Sequence, residues 1–259
     1  MRVPKLQMIA VTKDYAGTKG AVVRALADID LHVEEGELVS LVGASGCGKS
    51  TLLAIAAGLQ EATDGAVLVD GRHVTGPGSD RGLVFQGYSL YPWRTVAENV
   101  AFGLELKKLA QADIAERVAR YLAVMGLSDF AGSLPKQLSG GMQQRVAIAR
   151  ALATEPSVLL FDEPFGALDS QTRASMRDFV VQVQADTGAT ILMVTHDVEE
   201  AVYLSSRVYV LTSRPGRVAA ELTIPFGKGR ERSLLRDQTF RELCWSIDDL
   251  LADGVAVAG

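Results

Sequence analysis

The segment Gly43-Ala44-Ser45-Gly46-Cys47-Gly48-Lys49-Ser50 restricts what this chain can fold into more than any other stretch. It matches G-x-x-x-x-G-K-[ST], and it stands between an apolar run, Leu38 to Val42, and a helix-type pattern that reaches about Leu59. Three glycines let the backbone wrap closely and turn successive N–H groups inward. The product is an anion nest at a helix N-terminus, where the helix dipole adds positive potential. Lys49 is placed to reach the β- and γ-phosphates of a nucleotide, and the Ser50 hydroxyl to ligate Mg2+. A plain glycine-rich connector is the alternative, and the strand-then-helix context disfavours it. Cys47, inside the loop, reads as a small packing side chain without chemistry of its own. A thiol reagent attached there is expected to block nucleotide binding by bulk.

A strand feeding such a loop and then a helix implies an α/β chain, and the rest of the sequence agrees. Continuous apolar runs recur at Leu83 to Phe85, Val158 to Phe161, Ile191 to Val194 and Val208 to Leu211. Strands without alternation are covered on both faces, as in a parallel sheet flanked by helices. Residues 6–13 and 22–33 contain short β-type stretches that read as an antiparallel opening. From about 95 to 150 the pattern is helical, which marks an inserted helical subdomain within a single domain spanning 1–259. Beyond Arg214 a Pro- and Gly-containing tail, about 214–259, ends in a periodic helix near Phe240 to Leu251, where Cys244 and Trp245 read as core or interface residues.

Hydrophobic residues make up 48% and charged residues 22%, the balance of an ordinary globular chain. Two cysteines exclude a disulfide framework and four-thiolate zinc sites. A net charge of -5 lacks the basic excess of a dedicated nucleic-acid binder. The apolar runs fall far short of the ~20 residues that span a bilayer. Met1 to Ala10 lacks the apolar core of a signal peptide, so a cytoplasmic location is expected.

Two strand ends carry candidate chemistry. Val158 to Phe161 closes on Asp162-Glu163, at the carboxyl end where α/β sheets bind ligands. Asp162 suits a Mg2+ contact and Glu163 the general base for an attacking water. Ile191 to Thr195 closes on His196, which suits sensing the γ-phosphate or holding Glu163 and water in position. Taken alone, each is also what a solvated acid pair or a packed histidine looks like.

A further segment, Leu138-Ser139-Gly140-Gly141-Met142-Gln143-Gln144-Arg145, opens a helical run through Leu152. Alone it is an N-cap with flexible glycines. In order with the phosphate loop, Asp162-Glu163, Ala167-Leu168-Asp169 and His196, it makes the chain closely resemble ATP-binding cassette (ABC) ATPases over about residues 6 to 226. The resemblance implies the P-loop ABC ATPase fold: a mainly parallel sheet core, an N-terminal antiparallel β-subdomain and a helical subdomain. It implies ATP and Mg2+ as cofactors. It assigns Tyr15 to stacking on adenine, the loop Gly43 to Ser50 with Thr51 to the phosphates, and Gln86 to the metal and to the link with a membrane partner. Ser139, Gly140 and Gly141 would bind the nucleotide of the opposite protomer in a homodimer, with Asp169 in the dimer-contact loop. Lys49, Glu163 and His196 would do the catalytic work. Met142 departs from the Gln most often found there, and does not put activity in doubt.

The stretch from Gly76 through Leu104, with Tyr91-Pro92-Trp93, and the stretch Ser213 to Val218 resemble the nitrate, sulfonate and taurine import branch. Such importers pair two copies of this chain with a permease and an extracytoplasmic solute-binding protein, at the cytoplasmic face of the inner membrane. Large apolar side chains in a Pro turn commonly mark contact surfaces, so residues 86–96 are expected to receive the permease; a local turn of half-buried aromatics is the alternative. A soluble ABC ATPase of cofactor assembly or nucleic-acid work is the competing function, and an ATP-binding module without turnover is disfavoured by Glu163. Taurine or another sulfonate, nitrate and vitamin precursors stay open as the solute.

Overall fold

In chain order the strands and helices are β1 (Leu6–Ala16), β2 (Val22–Val33), β3 (Leu38–Gly43), α1 (Lys49–Ala56), β4 (Asp64–Val69), β5 (Arg72–His73), β6 (Arg81–Val84), α2 (Val96–Leu106), α3 (Gln111–Val124), α4 (Gly140–Ala153), β7 (Val158–Asp162), α5 (Ser170–Thr187), β8 (Ile191–Thr195), α6 (Val198–Leu204), β9 (Arg207–Leu211), β10 (Val218–Thr223) and α7 (Gln238–Ala256). They come from a computed structural model that describes residues 3–17, 21–227 and 230–256.

Two sheets result. The first is antiparallel, in the order β2-β1-β4-β5; the second runs β10-β9-β3-β8-β7-β6 and is parallel apart from its β9–β10 edge. Every residue of β3, β8 and β9 is buried, and the alternation of side chains divides them between two cores. Val39 and Leu41 of β3, Leu192 and Val194 of β8 and Leu160 of β7 pack with α1 and the antiparallel sheet. Leu38, Val42, Met193 and Phe161 point to the other face, among the helices. Each such side chain, fully buried, contributes ~1.5–3 kcal/mol of transfer free energy.

Helices α2, α3 and α4 stack together, as the helical pattern of 95–150 predicts. Thr95 and Glu98 form a reciprocal capping box that starts α2, and Ile114, Val118, Tyr121 and Leu122 give α3 one buried face. Helix α4 reaches past this stack to β6, so the helical segment and the parallel sheet share it.

Four details differ from the expectations. Helix α1 stops at Ala56 rather than about Leu59, because Gly58 takes φ +74° and a Cβ there would strike the Gly76 carbonyl. The apolar run expected at Leu83 to Phe85 falls in a strand at Arg81–Val84, and Phe85 lies outside it, 39% exposed. The tail after Arg214 is not wholly an appendage: β10 pairs antiparallel with β9 and supplies the edge of the main sheet. Of the two residues expected in the core or an interface, Cys244 packs partly buried on the core and Trp245 is 62% exposed, which leaves it the interface alternative. Strands β4 and β5 were not foreseen; short runs flanked by Gly65 and Gly71 carry too little pattern to separate from loop. No helix among the described residues is long and apolar enough to cross a membrane.

Candidate functional site

The register of the parallel sheet gathers the motifs at one edge. Val42 stands opposite Thr195, and Asp162 opposite Val194, so the loop after β3, the acids ending β7 and the histidine after β8 emerge side by side. Gly48 is held at φ +108° against β2, and a Cβ there would lie 2.6 Å from Leu26 Cδ2. Helix α1 begins with neither a side-chain cap nor an acidic residue in its first turn, so its N–H groups are left to an external acceptor. Lys49 is buried, its Nζ donating to the carbonyls of Gly43 (2.7 Å) and Ala44 (3.1 Å). These bonds curl the ammonium back over the loop, beside the atoms a phosphate would approach. Cys47 is 1% exposed, and burial pushes its thiol above its usual range. A thiol reagent therefore meets a covered thiol whose burial disfavours the thiolate.

Ser50 Oγ donates to Asp162 Oδ1 at 3.1 Å. Burial raises the Asp162 carboxyl and the neighbouring Glu163 adds to the effect, while the Ser50 bond and Lys49 oppose it. Two hard oxygens on adjacent elements fit Mg2+, which takes few protein ligands and completes its shell with phosphate and water. The Gln86 amide lies against the turn after Glu163, where a Cβ on Gly166 would stand 2.8 Å from Nε2.

Glu163 adopts φ +44°, a left-handed conformation that a side-chain-bearing residue enters at a cost. Its N–H donates to Val194 O (3.0 Å), and its Oε2 lies 3.0 Å from His196 Nδ1. With the carboxylate accepting, the imidazole carries its proton on Nδ1. Beneath this pair Thr195 Oγ1 donates to Glu200 Oε2 (2.6 Å) and accepts from Asp197 N (3.1 Å), while Asp197 Oδ1 accepts from Glu200 N (2.9 Å). Glu200 is 3% exposed, and burial pushes its carboxyl up to about 7.

Tyr15 is 38% exposed, and its hydroxyl donates to Gln60 Oε1 (2.7 Å) and lies 3.4 Å from Thr51 Oγ1. The ring is thereby tied to the first turn of α1, one residue past Ser50. The Ser139 side is arranged otherwise. Ser139 caps α4 by accepting from Met142 N (3.3 Å), and Cβ atoms on Gly140 and Gly141 would meet Tyr88, Leu168 and Thr172. The groove before this helix start is walled by Met142, Arg145, Gln171, Thr172 and Ser175 and not by the 43–50 loop. Asp169 caps α5 by accepting from Gln171 N and Thr172 N, and the Thr172 bonds hold its carboxyl below its usual range.

Two residues carry the site without having been singled out in the sequence. Glu200 is one. The other is Asn99, fully buried, whose Oδ1 accepts from Tyr91 N and whose Nδ2 donates to the carbonyls of Tyr91, Arg94 and Thr95. It freezes the turn that displays Trp93, 74% exposed, next to Tyr91 at 5.8 Å between ring centroids. A buried position on the apolar face of α2 occupied by Asn was the available signal.

Comparison with known proteins gives a consistent set. Residues 26–166 match the ABC transporter family model. The chain is 50% identical over 252 residues to the nitrate import ATP-binding protein NrtD of Synechocystis sp., covering 95% of this chain and 94% of that protein. It is 48% identical over 208 residues to the taurine import ATP-binding protein TauB of Pelagibacter ubique, covering 80% and 78%. The solved dimer of the ATP-binding cassette MJ0796 bound to ADP and Pi superposes with TM-score 0.73 at 34% identity, covering 86% of this chain and all of that one.

Proposed function

This chain belongs to the ABC transporter family, and from that premise we propose that it is the ATP-hydrolysing subunit of an importer for nitrate or a sulfonate such as taurine. The contact of Glu163 with His196 at 3.0 Å carries the reading, because it orients a carboxylate toward the position an attacking water must take.

The loop N–H groups and Lys49 bind the β- and γ-phosphates, and Tyr15 stacks on the base. Mg2+, held by Ser50 and Asp162, would neutralise charge that develops on the phosphates. Glu163 accepts the proton of the water, and His196 keeps the carboxylate aimed while excluding other rotamers. The groove at the Ser139-Gly140-Gly141 helix start is lined by none of the 43–50 loop residues of the same chain, which supports a second copy of the chain supplying it to the nucleotide. ATP then favours the closed pair of subunits and its hydrolysis removes that preference.

In this reading residues 1–259 form a single ATPase domain with a helical subdomain at about 95–150, and the tail at about 214–259 closes it. The Tyr91 to Trp93 turn, beside Gln86, receives a short helix of a permease, and an extracytoplasmic solute-binding protein delivers the solute. The subunit works at the cytoplasmic face of the membrane. Affinity purification of the Glu163→Gln chain from native membranes with ATP present tests this, with partners identified by mass spectrometry. Recovery of a multi-span permease supports the importer. Recovery of soluble partners alone moves the chain to an assembly ATPase and overturns the role of the Tyr91 to Trp93 turn.

A further inference from the structure

The chain between β6 and the aromatic turn bends through two consecutive side-chain-bearing residues in the left-handed region, Tyr88 at φ +56° and Ser89 at φ +48°. L-residues enter that region at a cost, and two in succession need support from outside the segment. The segment's own bonds are meagre: Tyr88 N to Phe85 O at 3.3 Å and Ser89 N to Gly87 O at 2.5 Å. The outside support is one side chain. Arg150 Nη1 donates to Ser89 O (2.7 Å) and Nη2 to Tyr88 O (3.2 Å), so a single planar fork spans both strained peptides. Its guanidinium also lies 5.7 Å from the Tyr91 ring, and no carboxylate pairs with it among the ion pairs of the described residues.

We propose that Arg150 is a positioning residue that clamps the Gln86 to Ser89 loop in its left-handed form and makes that loop move with helix α4. The loop touches α4 at two places. Arg150 holds the Tyr88 and Ser89 carbonyls from the last turn of the helix. At the first turn, a Cβ on Gly140 would stand 3.0 Å from the Tyr88 hydroxyl, so ring and helix start are packed together. Ten residues of helix rise about 15 Å between these attachments. A loop fixed at both ends of one rigid rod follows its displacement, so a shift at Ser139-Gly140 is passed to Gln86 and to the turn that presents Trp93. The role of the moved groups rests on the function proposed above; the clamp itself rests on the hydrogen bonds and φ values alone.

Arg150→Lys keeps the charge and the aliphatic stem but replaces the planar fork, with one nitrogen on each carbonyl, by a single nitrogen. In the purified full chain, hydrogen exchange of amides 86–90 is expected to rise about tenfold, with β3 and β7 amides unchanged. ATP turnover is expected to fall about tenfold in kcat with KM for ATP within about twofold, since the loop and Lys49 are untouched. Adding Ser89→Gly, which enters positive φ without the Cβ penalty, is expected to recover kcat about threefold in the Arg150→Lys background. That comparison is made within one background, so a stability loss from Arg150→Lys leaves it readable. Unchanged exchange at 86–90, or a fall in kcat that Ser89→Gly does not lift, overturns the clamp. Absence of ATP turnover in the unsubstituted chain instead overturns the proposed function, and the exchange experiment still decides on the clamp.

Discussion

Ser50 Oγ donates to Asp162 Oδ1 across 3.1 Å, a bond between the first turn of α1 and the end of β7. The glycine-rich loop after β3 and the acidic end of β7 are thus tied together by a side-chain hydrogen bond. Ser50→Ala deletes a bond that holds the Asp162 carboxyl down against its burial, and it removes one of two oxygens offered to Mg2+. The Mg2+ concentration for half-maximal ATP turnover is expected to rise about tenfold, read by titrating the metal at fixed ATP.

Glu163→Gln retains the size of the side chain but cannot take a proton. Steady-state ATP hydrolysis is expected to drop by about 10²–10⁴-fold while nucleotide still binds. Phosphate release assays check the first part and ATP-dependent dimerisation on size exclusion the second. Turnover at the unsubstituted level would remove Glu163 from the role of base.

Tyr15 separates stacking from hydrogen bonding. Tyr15→Phe loses only the hydroxyl contacts to Gln60 and Thr51, whereas Tyr15→Ala loses the ring. Base stacking is worth ~1–3 kcal/mol, so ATP affinity is expected to fall about tenfold or more for Ala and less than about threefold for Phe. Equilibrium binding of a fluorescent ATP analogue distinguishes them.

Asn99 and Trp93 belong to one turn and are expected to respond differently. Asn99→Ala strands buried backbone groups of the 91–95 segment, destabilising the chain by about 3 kcal/mol in urea unfolding. Trp93→Ala, on an exposed side chain, is expected to change stability by less than about 0.5 kcal/mol while permease recovery from membranes is lost. Equal recovery with and without Trp93 would leave the turn a packing feature.

Glu200 gives a pH signature. Its carboxyl titrates at about 7 in the folded chain against an ordinary 4.5, so between those values the folded state holds a proton that the unfolded state has lost. Stability therefore falls as pH rises from about 4.5 to about 7 and levels off above it, by an amount on the order of 3 kcal/mol. Glu200→Gln keeps an acceptor for the Thr195 hydroxyl and is expected to flatten that slope, making the chain more stable than the unsubstituted one at pH 8. Denaturant midpoints at pH 5 and pH 8 measure it.

The chemistry-bearing motifs were legible in the sequence because each is a local requirement on a short stretch of backbone. Gly43 to Ser50 must turn N–H groups inward and then start a helix, and only glycines at such spacing allow it. Asp162-Glu163 and His196 announce themselves by ending apolar runs, and runs buried on both faces specify a parallel sheet. What no window of sequence carries is the identity of distant neighbours. A strand pattern has the same period whichever strand lies beside it, so the pairing of β10 with β9, and the edge it gives to the main sheet, exists only in the assembled fold. Arg150 reads as one more charge near a helix end until α4 is laid against Tyr88 and Ser89. Asn99 and Glu200 look like breaks in apolar faces until folding brings them the carbonyls of 91–95 and the hydroxyl of Thr195. Hydrogen-bond partners of buried polar groups are set by tertiary proximity, and the sequence alone names the donors without naming who accepts.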